Sequence, residues 1–582
     1  MIYNSIKKIL ELLDIIERRN LKYLLVLVTL TSLIDVASIA SIMPFIGLLM
    51  DPGIIQENFF LKFLYFYSSK FGLDSEHKFL FMIGIFVFFL LVASNLLKAL
   101  TTYYQIKFAR MREYSIGSKL IKKYLNQPYE WFINHHSSNF STSIISSVQI
   151  VIGQAILPMV QLISHSILAI SIFSMLLFVN MKLSLIICML FGISYLIIFK
   201  NVKNLLNIFG NLRLENNKKR FKAISEAFGA IKEIKLAGTE KNFLERYSKP
   251  TEKFASCGAK TLFLTQLPRY LIEIVAFGTL IMITLFLMLK LNVISTIIPY
   301  IALFAFAGYR ILPSLQIIYA SIANLKNVQP ELNSLYNDIT ENTKDTLSAD
   351  FEKINFRNKI SLENVSYKYP NSSKNILKNI NIELPKRSST GIVGKTGSGK
   401  TTLVDIILGL LSVSEGSLKV DDTVISKYNV GSWQKLIGYV PQNIYLADNT
   451  ISANIAFNDR DPSKIDMTKV EKVAKVAMLH DFIIELPDQY KTSVGERGIK
   501  LSGGQRQRIG IARALYYEPK VLILDEATSA LDNFTEAKVM KSIYNISEDI
   551  TVIIIAHRLN TLKKCDVVLS IENGIITSSN NL

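Results

Sequence analysis

The run Gly394-Lys395-Thr396-Gly397-Ser398-Gly399-Lys400-Thr401 follows a short apolar segment, residues 390–393, and precedes a helix-like segment, residues 402–407. A glycine-rich loop between a strand and a helix lets backbone N–H groups surround a phosphate, and the helix N-terminus adds positive potential. In this setting Lys400 is expected to reach the β- and γ-phosphates, and the Thr401 hydroxyl to bind Mg²⁺. The run therefore predicts an α/β domain with a nucleoside triphosphate site.

A second apolar segment, residues 521–524, ends in two acidic residues, Asp525 and Glu526. Asp525 is placed to hold Mg²⁺, directly or through water, and Glu526 to orient or deprotonate an attacking water. Two acids at the end of a strand can also be merely solvated. The phosphate-binding loop upstream favours the catalytic interpretation.

The pentapeptide Leu501-Ser502-Gly503-Gly504-Gln505 begins a helix rich in arginine. It offers a hydroxyl and exposed N–H groups at a helix start, which is a second candidate anion site. Taken alone, the same residues fit a plain N-cap. Their place shortly before Asp525 favours the anion site.

The first part of the chain has a different composition. The chain has 582 residues, of which 50% are hydrophobic and 19% charged, against about 25% charged in a globular average. Since about 20 mostly apolar residues span a bilayer, the sequence predicts six membrane spans. They are residues 21–50, 79–104, 156–180, 182–200, 268–289 and 293–322.

The charge pattern predicts which side these helices face. The chain has 65 basic and 47 acidic residues, a formal net charge of +18. In a membrane protein such an excess marks cytoplasmic loops and anionic headgroups, so no nucleic acid partner is expected. The basic N-terminal tail and the basic loops 105–155 and 200–260 are predicted to be cytoplasmic. These loops read as extensions of the spanning helices; separate loop domains are the alternative.

The predicted organisation is a membrane α-helical domain at 1–330, a polar linker at 331–357, and an α/β domain of the P-loop type at 358–582. The three cysteines, Cys188, Cys257 and Cys565, lie far apart and form neither a disulfide framework nor a metal-ligand cluster.

Residues 358–582 resemble the nucleotide-binding domain of the ATP-binding cassette (ABC) family. The matching motifs are the phosphate-binding loop, Gln442 in Val440-Pro441-Gln442-Asn443, Leu501 to Gln505, Asp525-Glu526, Ser529 to Asp532, and His557 in Ala556-His557-Arg558. The resemblance implies ATP and Mg²⁺ as the cofactors, Glu526 and His557 as catalytic residues, and Thr401, Gln442 and Asp525 around the metal. It also implies that Tyr369 stacks on adenine. Tyr367 is the alternative candidate for this role.

The resemblance implies further ATP contacts from the same motifs. They are Gly394, Lys395, Thr396, Gly397, Ser398, Gly399, Lys400, Thr401, Thr402, Gln442, Ser502, Gly503, Gly504 and Gln505. In the family, two cassettes sandwich two ATP molecules, so one set of motifs per chain implies a homodimer.

Six spans followed by one cassette resemble exporter-type half-transporters. That likeness implies short coupling helices near 131–140 and 235–243, and a loop at 494–498 that senses them. An ATP-gated channel or regulator that does not pump is an alternative of another class, but it would not need the hydrolytic carboxylate of Glu526.

Candidate cargo residues are the ionisable side chains within the spans, which are costly to insert. Arg310, then Arg269, then Lys98 are predicted to line a cavity that binds a phosphorylated headgroup. Arg269 and Glu273 are four residues apart and can instead pair on one helix face. Ion pairing between helices, through Asp35 and Glu273, is the alternative for the whole set.

The loop after the first span, residues 54–67, is rich in aromatic residues. Its apolar spacing suits an interfacial amphipathic helix. Such a helix can contact a polyprenyl tail, or lie on the bilayer without a role in substrate binding.

Together these features resemble the bacterial flippases of lipid-linked oligosaccharides. The likeness includes Pro268-Arg269-Tyr270, residues 309–313, and Ser452-Ala453-Asn454-Ile455. It implies a multi-pass protein of the bacterial inner membrane, with a lipid-linked glycan as substrate. Exporters of lipid A-type lipids, drugs or peptides share the architecture and are the alternatives.

Overall fold

The computed structural model describes most of the chain as two units. The described residues are 2–50, 55, 62–63, 65–66, 68, 70, 75–290, 294–340, 352–370, 372, 374–457, 464–547, 549–556 and 562–580. One unit comprises Met1–Gln127 and Asn134–Lys344, and the other Pro128–Ile133 and Asp345–Leu582. Part of the predicted linker is helical, since a helix spans Gln329–Thr340.

The described part of the first unit is helical. Its helices are α1 (Ile2–Leu12), α2 (Ile15–Ala40), α3 (Ile42–Met50), α4 (Glu76–Leu125), α6 (Ser137–Ser141), α7 (Val148–Val151), α8 (Leu157–Val179), α9 (Met181–Gly229), α10 (Ile231–Ala237), α11 (Glu240–Lys290), α12 (Ile294–Asn327) and α13 (Gln329–Thr340). Two π-helical segments, Thr142–Ser147 and Ile152–Ile156, flank α7.

Five helical stretches among the described residues are long and apolar enough to cross a membrane. They are Ile15–Met50, Glu76–Leu125, Ser137–Val179, Ser184–Gly229 and Ala302–Asn327. Each overlaps one predicted span. The remaining predicted span, 268–289, lies within helix α11, part of whose side chains fall outside the described set.

The predicted extensions are present as continuous helix. Helix α4 has 50 residues, which is about 75 Å of α-helix against a hydrocarbon core of about 30 Å. Helix α9 has 49 residues and continues through the basic region that follows its apolar half. The basic segments 105–125 and 201–229 are therefore continuations of spanning helices rather than separate loop domains.

Helices α2 and α4 run antiparallel and are joined by polar contacts at three levels. Glu17 pairs with Arg112 at 3.0 Å, the hydroxyls of Thr31 and Thr101 lie 2.8 Å apart, and Asp35 pairs with Lys98 at 2.6 Å. Interhelical hydrogen bonds of this kind hold membrane helices together where apolar surface supplies no driving force.

The second unit contains two sheets among its described residues. The strands are β1 (Lys359–Tyr367), β2 (Leu377–Pro385), β3 (Ser389–Val393), β4 (Glu415–Val420), β5 (Thr423–Val424), β6 (Ile437–Val440), β7 (Val521–Asp525), β8 (Thr551–Ile555), β9 (Val567–Glu572) and β10 (Ile575–Asn580). The orders are β2-β1-β4-β5, which is antiparallel, and β10-β9-β3-β8-β7-β6.

The described residues of the second unit also form eight α-helices. They are α5 (Tyr129–Ile133), α14 (Lys400–Ile407), α15 (Val430–Gln434), α16 (Ile451–Ile455), α17 (Met467–Val476), α18 (His480–Ile484), α19 (Gly503–Tyr516) and α20 (Asn533–Ser547). Strands β7 and β8 are buried along their whole length, as is typical of parallel strands covered on both faces. Because β3, β6, β7 and β8 are parallel, their carboxyl ends meet at one edge, where ligands bind in such sheets.

Candidate functional site

The phosphate-binding loop joins β3 to α14, and its glycines are required by the backbone. A Cβ added at Gly394 would lie 2.4 Å from the carbonyl oxygen of Ile571 and 2.7 Å from Ser398 Oγ. Gly399 has φ +107°, in the left-handed region, and its Cβ would lie 2.8 Å from Leu377 Cδ2. The loop therefore holds a shape that larger residues at these two positions would disturb.

Two side chains of this loop, those of Lys400 and Ser398, are buried. The ammonium of Lys400 donates to the carbonyl oxygens of Gly394, at 2.6 Å, and of Lys395, at 3.1 Å. Ser398 Oγ is buried and has no hydrogen-bond partner among the described residues. A buried hydroxyl without a partner costs free energy, so the loop fits a phosphate oxygen that would accept from it.

Asp525 lies at the end of β7 in a partly desolvated position. Tyr439 donates from its hydroxyl to Asp525 Oδ2 at 3.4 Å. Burial, and then the charge of Glu526, raise the pKa of Asp525. Burial, and then the charge of Asp525, also raise the pKa of Asp405, on α14, to about 6. Asp525 and Asp405 are therefore partly desolvated and close to other negative charge, and a cation beside them would offset both effects.

Gln442 and Glu526 are in direct contact. Gln442 Nε2 donates to Glu526 Oε2 at 2.7 Å. Glu526 has φ +50°, an uncommon conformation for a residue other than glycine. The contact joins the loop after β6 to the loop after β7, next to Asp525.

The oxygens of Thr401, Gln442 and Asp525 are a donor set that fits Mg²⁺, which prefers hydroxyl, amide and carboxylate oxygens. Thr401 is exposed on the first turn of α14, while Asp525 is buried. Of the other loop residues, Lys395 and Thr396 are exposed and Thr402 is buried.

Ser502 caps helix α19. Its hydroxyl accepts from the backbone N–H of Gln505 at 3.2 Å, and its own N–H donates to Gln505 Oε1 at 2.8 Å, which is a capping box. A Cβ at Gly503 would lie 3.2 Å from Ala530 Cβ, and one at Gly504 3.0 Å from Leu531 Cδ2. The pentapeptide thus makes an N-cap and also packs against residues 530–531.

The two candidate tyrosines differ in burial. Tyr367, on β1, is 2% exposed, while Tyr369, just after the strand, is partly buried. The hydroxyl of Tyr369 lies 3.3 Å from Thr402 Oγ1, on the helix that follows the phosphate-binding loop. The structure therefore brings Tyr369 to this loop. The predicted catalytic residue His557 lies outside the described residues.

The short helix α5 belongs to the second unit. Glu130 Oε1 accepts from the backbone N–H of Ser412 at 3.1 Å and from the hydroxyl of Tyr367 at 3.4 Å. Helix α5 and helix α10 each begin a few residues before the coupling helices expected near 131–140 and 235–243. Helix α10 ends at Gly238, whose φ of +62° closes the helix in the left-handed conformation.

A cavity of about 310 Å³ lies between the membrane helices. Lys98 and Arg310 line it, with hydroxyl, amide and imidazole groups from α2, α4, α8 and α12. Both cations converge on Asp35, which is fully buried: Lys98 Nζ lies 2.6 Å from Oδ2, and Arg310 Nη2 3.7 Å from Oδ1. Ser94 also donates to Asp35, at 2.8 Å.

Arg269 is in a different place. Its guanidinium donates to Glu273 Oε1 at 2.9 Å, on the same helix, as the spacing of four residues allows. It is exposed and is not among the residues that line the cavity. Of the three predicted cargo cations, the structure brings together Arg310 and Lys98. The outer loop 54–67 lies mostly outside the described residues.

Sequence reasoning missed three residues at the nucleotide edge, of which Gln507 joins two of its segments. Gln507 Nε2 donates to Ser529 Oγ at 3.0 Å, and Gln507 Oε1 accepts from the N–H of Ala530 at 2.9 Å. Tyr439 and Asp405 are the other two. Asp405 has a visible signal, since it is the single acid in an otherwise apolar run on α14. Nothing in the sequence marks Tyr439 or Gln507 as functional, except that Tyr439 lies next to the Gln442 motif and Gln507 next to the Leu501 to Gln505 motif.

The chain matches two protein-family models. A family model described as "ABC transporter" matches residues 377–529, and one described as "ABC transporter transmembrane region" matches residues 53–311. Together the two ranges cover most of the chain.

Two relatives illustrate the range of similar proteins. The heterocyst differentiation ATP-binding protein HepA of Nostoc sp. is 33% identical over 62% of this chain, and the match spans 59% of HepA, less than two thirds of its length. An ATP-dependent lipid A-core flippase of Chromohalobacter salexigens is 28% identical, over 87% of this chain and 86% of the relative. The solved structure of a bacterial Atm1-family ABC exporter with ATP bound matches with a TM-score of 0.80 at 19% identity, over 98% of this chain and 96% of that one. At that identity the likeness concerns the fold.

Proposed function

The chain belongs to the ABC transporter family, and from this premise we propose that two copies form an ATP-driven exporter of a phosphorylated glycolipid. The family's ATP-binding domain implies an ATPase coupled to transport. The proposed cargo is a polyprenyl-pyrophosphate-linked oligosaccharide or a similar glycolipid, and the proposed location is the bacterial inner membrane.

The proposed chemistry is hydrolysis of ATP to ADP and phosphate. Lys400 and the N–H groups of the phosphate-binding loop hold the β- and γ-phosphates, and Ser398 donates its otherwise unpaired hydroxyl. Thr401, Gln442 and Asp525 would hold Mg²⁺, which would supply positive charge to offset the charge that develops on the phosphates. Glu526 accepts the proton of the attacking water, and Gln442 fixes the position of its carboxylate through the 2.7 Å contact.

Composite sites are part of the proposal. The chain carries one phosphate-binding loop and one Ser502-Gly503-Gly504 motif. In the family arrangement the loop of one copy faces that motif of the other. The proposed roles of Tyr369, at adenine, and of His557, at the γ-phosphate, follow the same arrangement.

The cargo proposal rests on one observation: two cations share one carboxylate at the wall of a membrane cavity. Lys98 and Arg310 contribute two positive charges and Asp35 one negative charge, so each chain keeps a surplus of about one positive charge there. A phosphate or pyrophosphate crossing a medium of low dielectric constant loses its hydration, and fixed cations replace part of it. Guanidinium suits this role because its planar fork binds phosphate oxygens bidentately.

The names of two relatives support a lipid as the class of cargo. Proteins named ATP-dependent lipid A-core flippase match this chain over most of their length. A lipid A-type glycolipid, which is also phosphorylated, is therefore the second candidate. The same cavity chemistry serves both candidates.

The test is stimulation of the purified protein's ATPase. The substrates are a polyprenyl-pyrophosphate-linked sugar, a lipid A-type lipid, the same polyprenol without phosphate, and a cationic drug. We expect stimulation by the pyrophosphate-linked sugar and none by the unphosphorylated polyprenol. Stimulation by lipid A alone would transfer the proposal to the second candidate, and stimulation by the drug alone would contradict both.

A further inference from the structure

A second cavity lies between helices α2 and α4, in the first unit. Its volume is about 360 Å³. It lies between the Glu17–Arg112 pair and the Thr31–Thr101 contact. Its lining consists of Asn20, Tyr23, Leu24 and Leu27 of α2 and Tyr104, Lys107, Phe108, Met111 and Arg112 of α4. The cavity with Lys98 and Arg310 begins at that second contact and has a different lining.

The position of this second cavity along the helices is that of a membrane interface. The predicted apolar segment of α2 begins at residue 21, and that of α4 ends at residue 104. Two tyrosines in the lining, Tyr23 and Tyr104, are exposed, and tyrosines are enriched at the level of lipid headgroups. The basic N-terminal tail places this end on the predicted cytoplasmic side.

The lining has an apolar part and a cationic part. Leu24, Leu27, Phe108 and Met111 supply the apolar part, which suits an acyl chain. Lys107 and Arg112 supply the cationic part. The cavity can therefore contact both the acyl chain and the anionic headgroup of a phospholipid.

Among the described residues, the two cations of the lining are only partly matched by hydrogen-bond acceptors and negative charge. Arg112 has a side chain only 10% exposed, and it pairs with Glu17 at 3.0 Å. Its Nε is nevertheless buried without a hydrogen-bond partner among the described residues. Within the described part of the chain, no carboxylate lies within ion-pair distance of Lys107; its ammonium lies 5.9 Å from the ring centroid of Tyr103. Two cations facing one carboxylate leave an excess positive charge.

We propose that this cavity is a resident site for an anionic phospholipid of the cytoplasmic leaflet, with the headgroup phosphate held by Lys107 and Arg112 and an acyl chain along Leu24 and Leu27. The bound lipid is distinct from the transported cargo. A free phosphate is disfavoured as the occupant, because it would leave the apolar part of the cavity unfilled.

The test measures lipid retention by the full-length protein. Protein is reconstituted with equal amounts of phosphatidylglycerol and phosphatidylcholine, extracted in mild detergent, and analysed for bound lipid by mass spectrometry. The wild type should retain phosphatidylglycerol in preference. Lys107→Ala should lower that retention about fivefold, the effect expected of one lysine near an anionic headgroup.

Two further variants separate a specific site from general attraction to the surface. Lys22→Ala removes one positive charge from an exposed lysine of α2, adjacent to Tyr23 but outside the lining, and should leave retention unchanged. Leu27→Trp keeps every charge but fills the apolar part, and should also lower retention of phosphatidylglycerol.

Four results would overturn the proposal. Equal losses in Lys107→Ala and Lys22→Ala would mean general surface attraction, and full retention in Leu27→Trp would mean that no acyl chain lies in the cavity. Release of the lipid by millimolar glycerol phosphate, or by an equimolar pyrophosphate-linked glycolipid, would make the cavity an anion site or part of the transport path. These readouts do not depend on ATPase stimulation, so they stand apart from the proposed function.

Discussion

Gln442 Nε2 and Glu526 Oε2 lie 2.7 Å apart. Val440 pairs with Leu524 in the parallel register of β6 and β7, and each of the two contacting residues lies two positions past that pair. Strand register therefore brings the amide to the carboxylate. The amide N–H of Gln442 donates a hydrogen bond to the Glu526 carboxylate. It therefore fixes the orientation of the carboxylate without protonating it.

The first prediction concerns Glu526→Gln. A glutamine side chain keeps an oxygen that can accept from Gln442 but loses the basicity needed to take a proton from water. ATP should still bind, while the turnover rate falls by about 10²-fold or more. Steady-state ATPase and nucleotide binding in the same preparation check this.

The matched control is Glu471→Gln, an exposed glutamate on α17, which should hydrolyse ATP at the wild-type rate. Near-normal hydrolysis by Glu526→Gln would remove the residue from its assigned role.

The second prediction tests whether the ATP sites are built from two chains. Heterodimers of a Lys400→Ala chain with a Ser502→Arg chain should have one site with both lesions and one intact site. Affinity tags of two kinds isolate the heterodimer, and bound ATP is then counted. Two equally damaged sites would mean that each site lies within a single chain.

The third prediction is a pH dependence of stability. The pKa of Asp405 is raised to about 6 in the folded protein, against about 3.9 for an unfolded aspartate. The folded state therefore holds this proton more tightly, and its stability falls as the pH rises from about 4 to above 6. Asp405→Asn removes this loss, so the variant should melt at a higher temperature than the wild type at pH 7.5.

At pH 4 the advantage of Asp405→Asn should disappear, because the wild-type carboxyl is then protonated in the folded protein. Thermal melting of nucleotide-free protein at both pH values measures the difference. The exposed Asp422→Asn is the control. A gain that is equal at pH 4 and pH 7.5 would contradict the assignment.

Much of the nucleotide edge could be predicted from the sequence, because its motifs are contiguous. The loop at 394–401 and the strand before Asp525 encode their own local geometry. The Gln442–Glu526 contact could not be predicted in the same way, since it depends on the register of two strands 84 residues apart.

The charged residues of the membrane helices also make some contacts that the sequence predicts and others that it does not. The Arg269–Glu273 pair follows from a spacing of four residues, and the structure confirms that contact. The contacts of Asp35 with Lys98 and Arg310 depend on how each helix is rotated about its axis, which a uniformly apolar helix does not encode. The sequence also did not predict the π-helical segments on either side of α7.

The fourth prediction concerns Asp35, which is fully buried beside two cations. Asp35→Ala leaves Lys98 without its carboxylate and Ser94 without its acceptor, and removing one partner of a buried pair costs about 3–5 kcal/mol. The melting temperature should drop. The double variant Asp35→Ala/Lys98→Met should recover part of the loss, and a double variant that is no more stable than Asp35→Ala would contradict the pairing.

The central claim is that the Lys98–Arg310 cavity accepts the phosphate of the cargo, and Arg310→Ala tests it. This variant should fold normally, because Asp35 keeps Lys98 at 2.6 Å and Ser94 at 2.8 Å. Arg310→Lys should recover only part of the transport, since an ammonium lacks the bidentate fork. Arg269→Ala should have a smaller effect, and Arg110→Ala, at an exposed arginine paired with Glu113, should have none.

The most direct measurement is flipping of a fluorescent pyrophosphate-linked glycolipid in proteoliposomes, with the melting temperature of each variant measured alongside. We expect Arg310→Ala to lose most of its flipping at an unchanged melting temperature and unchanged basal ATPase. Wild-type flipping by a well-folded Arg310→Ala protein would contradict it.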